Sequence, residues 1–171
     1  MSKISIANSS DVQELVRLVN SAYRGDSSKK GWTTEADLLD GIRTDEESMG
    51  ELFTKEGSTV LKCLDDKGAL VGCVNLQKQV NKLYLGMLTV SPSLQGGGIG
   101  KLLLEASEEF GRAHGFDAII MSVISIREEL IAWYERKGFV KTGEKKPFPM
   151  DDPKFGIPKQ FLEFIMMEKP L

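Results

Sequence analysis

The segment that most constrains this chain is Val90-Ser91-Pro92-Ser93-Leu94-Gln95-Gly96-Gly97-Gly98-Ile99-Gly100-Lys101. It follows Lys82–Val90, a run apolar on both faces that reads as a central strand. It precedes Ile99, Leu102, Leu103, Ala106, Phe110 and Ala113, apolar at helical spacing, with Gly115 placed as a left-handed C-cap. Each glycine inside a helix costs about 1 kcal/mol relative to alanine. Four of them in five positions therefore argue for something other than a plain flexible turn. Glycine adopts positive φ and lets a ligand approach the main chain. N–H groups at a helix N-terminus attract anions, phosphate above all. A strand, a glycine loop and a helix in succession thus predict an α/β unit built around a phosphate-bearing ligand.

Two nucleotide templates do not fit the loop. The ATP-type pattern G-x-x-x-x-G-K-[ST] ending at Gly100-Lys101 needs glycine at position 95, which is Gln95, and Leu102 replaces the hydroxyl that would meet a metal. The dinucleotide pattern G-x-G-x-x-G starting at Gly96 and Gly98 needs glycine at position 101, which is Lys101.

The residue inventory narrows the chemistry further. There is one histidine, His114, and there are two cysteines, Cys63 and Cys73. A His- or Cys-rich zinc site cannot be assembled from these, and a nucleophilic triad would depend on His114, which falls at a predicted helix C-terminus. Both cysteines read as reduced core thiols, the pattern of a cytoplasmic protein. A net charge of −3 and pI near 5.3 provide no basic footprint for nucleic acid or an anionic membrane, and mildly favour neutral or cationic partners. No stretch of about 18 apolar residues is present, and the first ten residues lack a leader pattern. Glu105, Glu108 and Glu109 read as a solvated helix face, Asp151-Asp152 lacks calcium-loop spacing, and Met166-Met167 reads as packing. A length of 171 residues predicts one domain over 1–171.

The remaining elements follow from local pattern. Lys3–Ala7 alternates as a strand, and Ser10 with Gln13 forms a capping-box pattern before a helix to Tyr23. Gly25–Gly31 reads as a loop. Thr33 or Thr34 is expected to cap a second helix through Ile42, and Asp45–Glu56 a third. Thr59–Leu64 and Ala69–Gln77 form strands around the turn Asp65-Asp66-Lys67-Gly68. Ala118–Val123 is a buried strand. Ser125 and Glu128 suggest a capping box for a helix to Lys137, ended by Gly138, with strands at Phe139–Lys145 and Gln160–Glu168 around a proline-rich loop. This order predicts a mixed sheet with helices on both faces, an α/β (α+β) chain.

Read as Q-x-x-G-x-G, Gln95 to Gly100 resembles the acyl-CoA pyrophosphate motif of the GCN5-related N-acetyltransferase (GNAT) superfamily. Leu130 to Phe139 resembles that family's "YxxxGF" segment, with Tyr134, Gly138 and Phe139 in the pattern. The resemblance extends in element order from about Ile4 to Met167. It implies a mostly antiparallel sheet of six or seven strands, acetyl-CoA as acetyl donor, an amine acceptor and no metal; dimers are common in the family. Carried over, it implies that Leu88, Thr89 and Val90 flank the pantetheine and that Gln95, Gly96, Gly97, Gly98, Ile99, Gly100 and Lys101 form the pyrophosphate loop. Tyr134 would protonate the departing thiolate; its other reading is packing with Leu130 and Ile131. Where many members carry asparagine this chain has Ser125-Ile126-Arg127, so Arg127 or Ser125 stands in its place, Arg127 alternatively serving a CoA phosphate or a surface salt bridge. Where some members carry a glutamate base on the central strand this chain has Tyr84. Glu35 is a candidate base or a first-turn helix acid, and Trp32 a candidate acceptor contact or core cover. The acceptor cleft is expected between Tyr23–Glu35 and Lys145–Lys159, with Phe148 and Phe155. A small-molecule N-acetyltransferase is the leading expectation; a protein or peptide N-acetyltransferase and a non-catalytic acyl-CoA sensor are the alternatives.

Overall fold

The computed structural model describes residues 2–152, 154 and 156–171. Nine strands and five helices are defined among them. These are β1 (Lys3–Ile6), α1 (Val12–Tyr23), α2 (Gly25–Ser28), β2 (Leu39–Asp40), α3 (Glu46–Thr54), β3 (Ser58–Leu64), β4 (Leu70–Gln79) and β5 (Lys82–Val90). There follow α4 (Ile99–Ala113), β6 (Ala118–Ile124), α5 (Glu128–Arg136), β7 (Val140–Pro147), β8 (Ile157–Pro158) and β9 (Glu163–Pro170). Seven strands form one sheet in the order β1-β3-β4-β5-β6-β9-β7. Only β5 and β6 pair in parallel. The apolar faces of the helices bury opposite sides of this sheet. Leu103, Leu104, Ile131 and Tyr134 of α4 and α5 pack in one core cluster, and Leu15, Leu18, Val19 and Met49 of α1 and α3 in another. The mixed, mostly antiparallel sheet with helices on both faces is thus the architecture observed.

Two irregularities in β5 open the sheet. Its pairing with β6 is confined to Lys82↔Ala118, Leu83↔Ile119 and Tyr84↔Ile120, after which the ladder ends. Its register with β4 shifts between Cys73↔Thr89 and Asn75↔Gly86, a bulge that places Met87 at φ 57°. A left-handed conformation costs a non-glycine residue about 1–2 kcal/mol. Here the Met87 carbonyl accepts a 2.9 Å hydrogen bond from Thr89 Oγ1. Bulges re-aim a strand and end its pairing, and this one turns the C-terminal half of β5 toward the gap beside β6.

Several local expectations are corrected. The expected Ser10–Gln13 box is absent: Asn8 caps the short turn Ser9–Asp11, its side chain accepting from Ser10 N–H while Asp11 accepts from Asn8 N–H, and α1 follows with Asp11 at its N-cap and no side-chain cap bond. The expected loop at Gly25–Gly31 contains the single turn α2. No helix spans Thr33–Ile42: Gly41 at φ 86° breaks the run, and Leu39–Asp40 instead pairs with Ile157–Pro158 as a two-stranded ribbon. Leu39 is buried with Ile124, Phe148 and Leu162, a third small core that ties this ribbon to the sheet. Arg127, not Ser125, occupies the N-cap position of α5, without a side-chain cap bond. Glu108 is buried, not solvated, and pairs with Lys169 at 2.7 Å and Arg112 at 3.5 Å. Phe155 lies outside the described residues.

Candidate active site

Two cavities flank the C-terminal half of β5. The first, about 390 Å³, is lined by Val90, Gln95, Gly96, Gly98, Gly100 and Lys101 and, opposite, by residues of α5. The second, about 360 Å³, lies between Tyr84–Leu88 of β5 and Met121–Ile124 of β6, where the ladder has ended. Four residues belong to both walls: Tyr23, Leu88, Leu130 and Tyr134. The two cavities therefore adjoin at two phenols and a bulged strand.

The glycine loop is built for main-chain contact. Gly96 and Gly98 have φ of 90° and 89°, with no heavy atom within 4 Å of where a Cβ would project. Glycine is required at both for conformation, not for lack of space. Gly98 is the N-cap of α4 and no side chain satisfies the first turn's N–H groups, leaving the positive end of the helix dipole toward the cavity mouth. Lys101, Arg136 and Lys137 place three cations in the lining of this cavity against Glu129. These features suit an anionic, phosphate-bearing ligand.

Not every residue of the loop motif faces this cavity. Ile99 packs into the main core beside Leu103, and Gly97 is outside the lining. Thr89 is 1% exposed, bonded to the Met87 carbonyl, and lines neither cavity. Gln95 is a strut: its Oε1 accepts from the N–H of Trp32 (2.8 Å) and Thr33 (3.2 Å), and its Nε2 donates to Thr33 Oγ1 (2.7 Å) and the Val90 carbonyl (3.1 Å). It binds the glycine loop to residues 32–33. Trp32 lines the glycine-loop cavity with Trp133, ring centroids 6.4 Å apart, and not the second cavity.

At the junction, Tyr134 is buried and packs edge-on against Trp133 (5.1 Å) and Phe139 (5.6 Å). Burial raises its pKa well above the usual phenol value, with Tyr23 adding to the rise and Arg127 opposing it. Tyr23, at the C-terminal end of α1, donates its hydroxyl proton to the Leu88 carbonyl and has its pKa raised chiefly by burial. That carbonyl is thereby engaged within the protein. Tyr84 shares a 2.5 Å hydrogen bond with Ser122 across the gap between β5 and β6.

The second cavity is polar at one end. Glu35 Oε1 receives Arg24 Nε and Nη2, both at 3.2 Å, while Arg127 Nη1 lies 3.5 Å from Oε2. Arg24 Nη1 donates to the Ile42 carbonyl at 3.0 Å, and Arg127 Nη2 to the Thr33 carbonyl at 2.6 Å. Glu35 is therefore the centre of a buried arginine–carboxylate–arginine cluster rather than a helix first-turn acid, and Arg127 makes no surface salt bridge. Arg43 completes this end, its guanidinium 5.9 Å from the Tyr23 ring centroid. Tyr23, Arg24 and Arg43 carry no local sequence signature, because their partners lie 11 to 65 residues away.

Burial pushes the Cys73 thiol up to about 12, so it stays protonated at neutral pH. Both cysteines are buried and free. No group of three His, Cys, Asp or Glu side chains among the described residues is placed to hold a metal, and no helix among them is long and apolar enough to cross a membrane.

Residues 13–139 match the acetyltransferase (GNAT) family. The chain is 25% identical over 119 residues to N-acetyltransferase family 8 member 3 of Mus musculus, covering 66% of this chain and 53% of that protein. It is 30% identical over 106 residues to IAA acetyltransferase of Azospirillum brasilense, covering 61% and 63%. The chain thus spans about half the length of the first relative and under two-thirds of the second. The crystal structure of the ribosomal-protein-S18-alanine N-acetyltransferase from Escherichia coli superposes with a TM-score of 0.73 over 99% of this chain and 94% of its own. At 17% identity that likeness is one of fold.

Proposed function

Because this chain belongs to the acetyltransferase (GNAT) family, we propose that it transfers an acetyl group from acetyl-CoA to the nitrogen of a small-molecule amine. The observation that carries the reading is the meeting of the two cavities at Tyr23, Leu88, Leu130 and Tyr134. One cavity has the anion-binding features of a CoA diphosphate site, and the other offers a partly open space of about 360 Å³, small-molecule in size.

Acetyl-CoA, when bound, supplies an activated thioester. Main-chain N–H groups at the start of α4 hold the diphosphate, with Lys101, Arg136 and Lys137 neutralising it. The β5 bulge orients the main chain near Val90 toward the thioester carbonyl, whose oxygen gains charge when the amine attacks; a donor fixed in a dry site stabilises that charge without reorganising. The acceptor nitrogen bonds to the acetyl carbon as the carbon–sulfur bond breaks. Tyr134 gives its phenolic proton to the departing sulfur and is reprotonated, directly or through solvent, by the proton that the acceptor nitrogen loses on becoming an amide. Burial keeps the phenol protonated, and it also raises the basicity of a thiolate formed beside it, so donor and acceptor stay matched. The reaction requires neither metal nor covalent enzyme intermediate, which suits a chain with one histidine and two buried cysteines.

The reading is tested by thermal protection and by thiol release. CoA at 100 times its Kd is expected to add about 2.7 kcal/mol of stability, which for a chain of this size raises Tm by about 5–10 °C. Acetyl-CoA with a panel of amines is expected to release free thiol. The absence of CoA protection overturns the reading. Protection with no thiol release on any amine favours an acyl-CoA sensor instead.

A further inference from the structure

The ionisable side chains lining the second cavity are unbalanced. Arg24, Arg43 and Arg127 face it with Glu35 as the only carboxylate, although the chain as a whole carries a net charge of −3. Arg24 and Arg127 are both turned onto Glu35 and onto main-chain carbonyls. Arg43 differs: among the described residues it makes no ion pair. Its main chain is nevertheless fixed. Asn20 Oδ1 accepts from the N–H of Arg43 (2.8 Å) and Thr44 (3.0 Å), and Asn20 Nδ2 donates to the Thr44 carbonyl (2.9 Å), which pins this segment to α1. Its guanidinium stands over the ring of Tyr23, whose hydroxyl meets Leu88 at the other end. An unpaired cation is thus pre-positioned, through a single side chain, relative to the junction of the two cavities.

An excess of two guanidinium charges in a partly open, partly desolvated cavity favours a counter-charge. It is also hostile to a purely cationic acceptor, since like charges in a partly desolvated site repel strongly. The opposite wall is apolar, formed by Leu39, Met121, Ile124, Phe148 and Phe164. From this juxtaposition we propose that the acceptor is an amino carboxylate with an apolar body, its carboxylate held by Arg43 and its amine directed toward Leu88 and Tyr134. The planar guanidinium fork matches a carboxylate in two parallel hydrogen bonds, and the mild preference for cationic partners read from overall charge is reversed at the site itself. Arg43 is then a specificity residue, distinct from the arginines that hold Glu35. The inference rests on the acetyl-transfer reading for the role of acceptor, while the carboxylate site at Arg43 is tested without it by binding.

The experiment uses matched pairs: L-phenylalanine with phenethylamine, and 6-aminohexanoate with hexylamine. Thiol release from acetyl-CoA is expected to give the carboxylated member of at least one pair a kcat/KM at least ~10-fold higher, the factor that corresponds to about 1.4 kcal/mol. Arg43→Gln is expected to raise KM for that acceptor about 10-fold and to leave KM for acetyl-CoA unchanged, while Arg43→Lys retains part of the preference. Calorimetric binding of the same four compounds to the protein with CoA gives an answer that does not require turnover. If no amine releases thiol, a carboxylate preference lost in Arg43→Gln still supports the inference while the acetyl-transfer reading falls. Equal or better use of the plain amines, a preference untouched by Arg43→Gln, or no detectable binding of either carboxylate overturns it. So does a peptide with an N-terminal aspartate that outperforms both free amino carboxylates.

Discussion

Replacement of Tyr134 by phenylalanine is expected to lower kcat by about 10²- to 10⁴-fold, the range that a positioned general acid contributes. The ring survives the change, so its contacts with Trp133 and Phe139 remain and the core cluster loses no volume. CoA protection and KM for acetyl-CoA are therefore expected to stay near wild type, which separates a lost proton from a lost fold. The pH profile adds an independent check. The active form of the acid is the neutral phenol, and burial moves its pKa upward from 10, so the phenol persists through the alkaline range in which a free tyrosine would ionise. A kcat profile for the wild-type protein should accordingly show no descending limb between pH 7 and 10. A Tyr134→Phe variant within about 3-fold of wild type would remove Tyr134 from the acid role, whereas a descending limb near pH 9 that the variant abolishes would keep the acid and overturn its raised pKa.

What the sequence reveals of this site is what local backbone chemistry dictates. The glycine loop is legible because positive φ at Gly96 and Gly98 demands glycine whatever lies around it. The central strand is legible because both its faces are apolar. Side chains that act across the fold are legible as residue types but not as roles. The motif glutamine is an example: Gln95 is visible in the pattern, yet nothing local indicates that its amide clamps Trp32 and Thr33, or that Gly31 must lack a side chain because a Cβ there would strike that amide. The helix expected over Thr33–Ile42 is misread for a related reason. Leu38, Leu39 and Ile42 have helical spacing, but Leu39 is drawn into the small core with Ile124, Phe148 and Leu162, Ile42 is 53% exposed, and Gly41 ends the turn. Tertiary packing overrides a weak periodic signal there. The arginines fall at positions 24, 43 and 127, and only the closure of the chain around Glu35 and Tyr23 brings them to one end of a cavity.

That closure makes Glu35 the residue whose loss should cost the fold most. Glu35→Ala leaves Arg24, whose side chain is 4% exposed, without the carboxylate that receives two of its N–H groups, and removes the partner of Arg127, 9% exposed. Stripping one member from a buried charge cluster typically costs about 3–5 kcal/mol, because the surviving charges stay desolvated while losing a counter-charge. For a chain of this length that corresponds to a fall in Tm of about 10 °C. By contrast, deleting the exposed Lys101–Glu105 pair, at 3.9 Å on the surface of α4, is expected to change stability by less than about 0.5 kcal/mol. Glu35→Gln keeps a carbonyl oxygen for Arg24 to donate to and should recover part of the loss without restoring the charge. Differential scanning calorimetry of the three variants orders these terms. The same variants test the competing role of Glu35 as a base. Both of its oxygens face guanidinium groups, so a structural carboxylate predicts that Glu35→Gln loses stability while retaining a substantial kcat at temperatures where it is folded. If Glu35→Gln instead melts with the wild type and loses kcat by more than about 100-fold, the magnitude expected of a general base, the arginine cluster serves to orient a catalytic carboxylate rather than to close the fold.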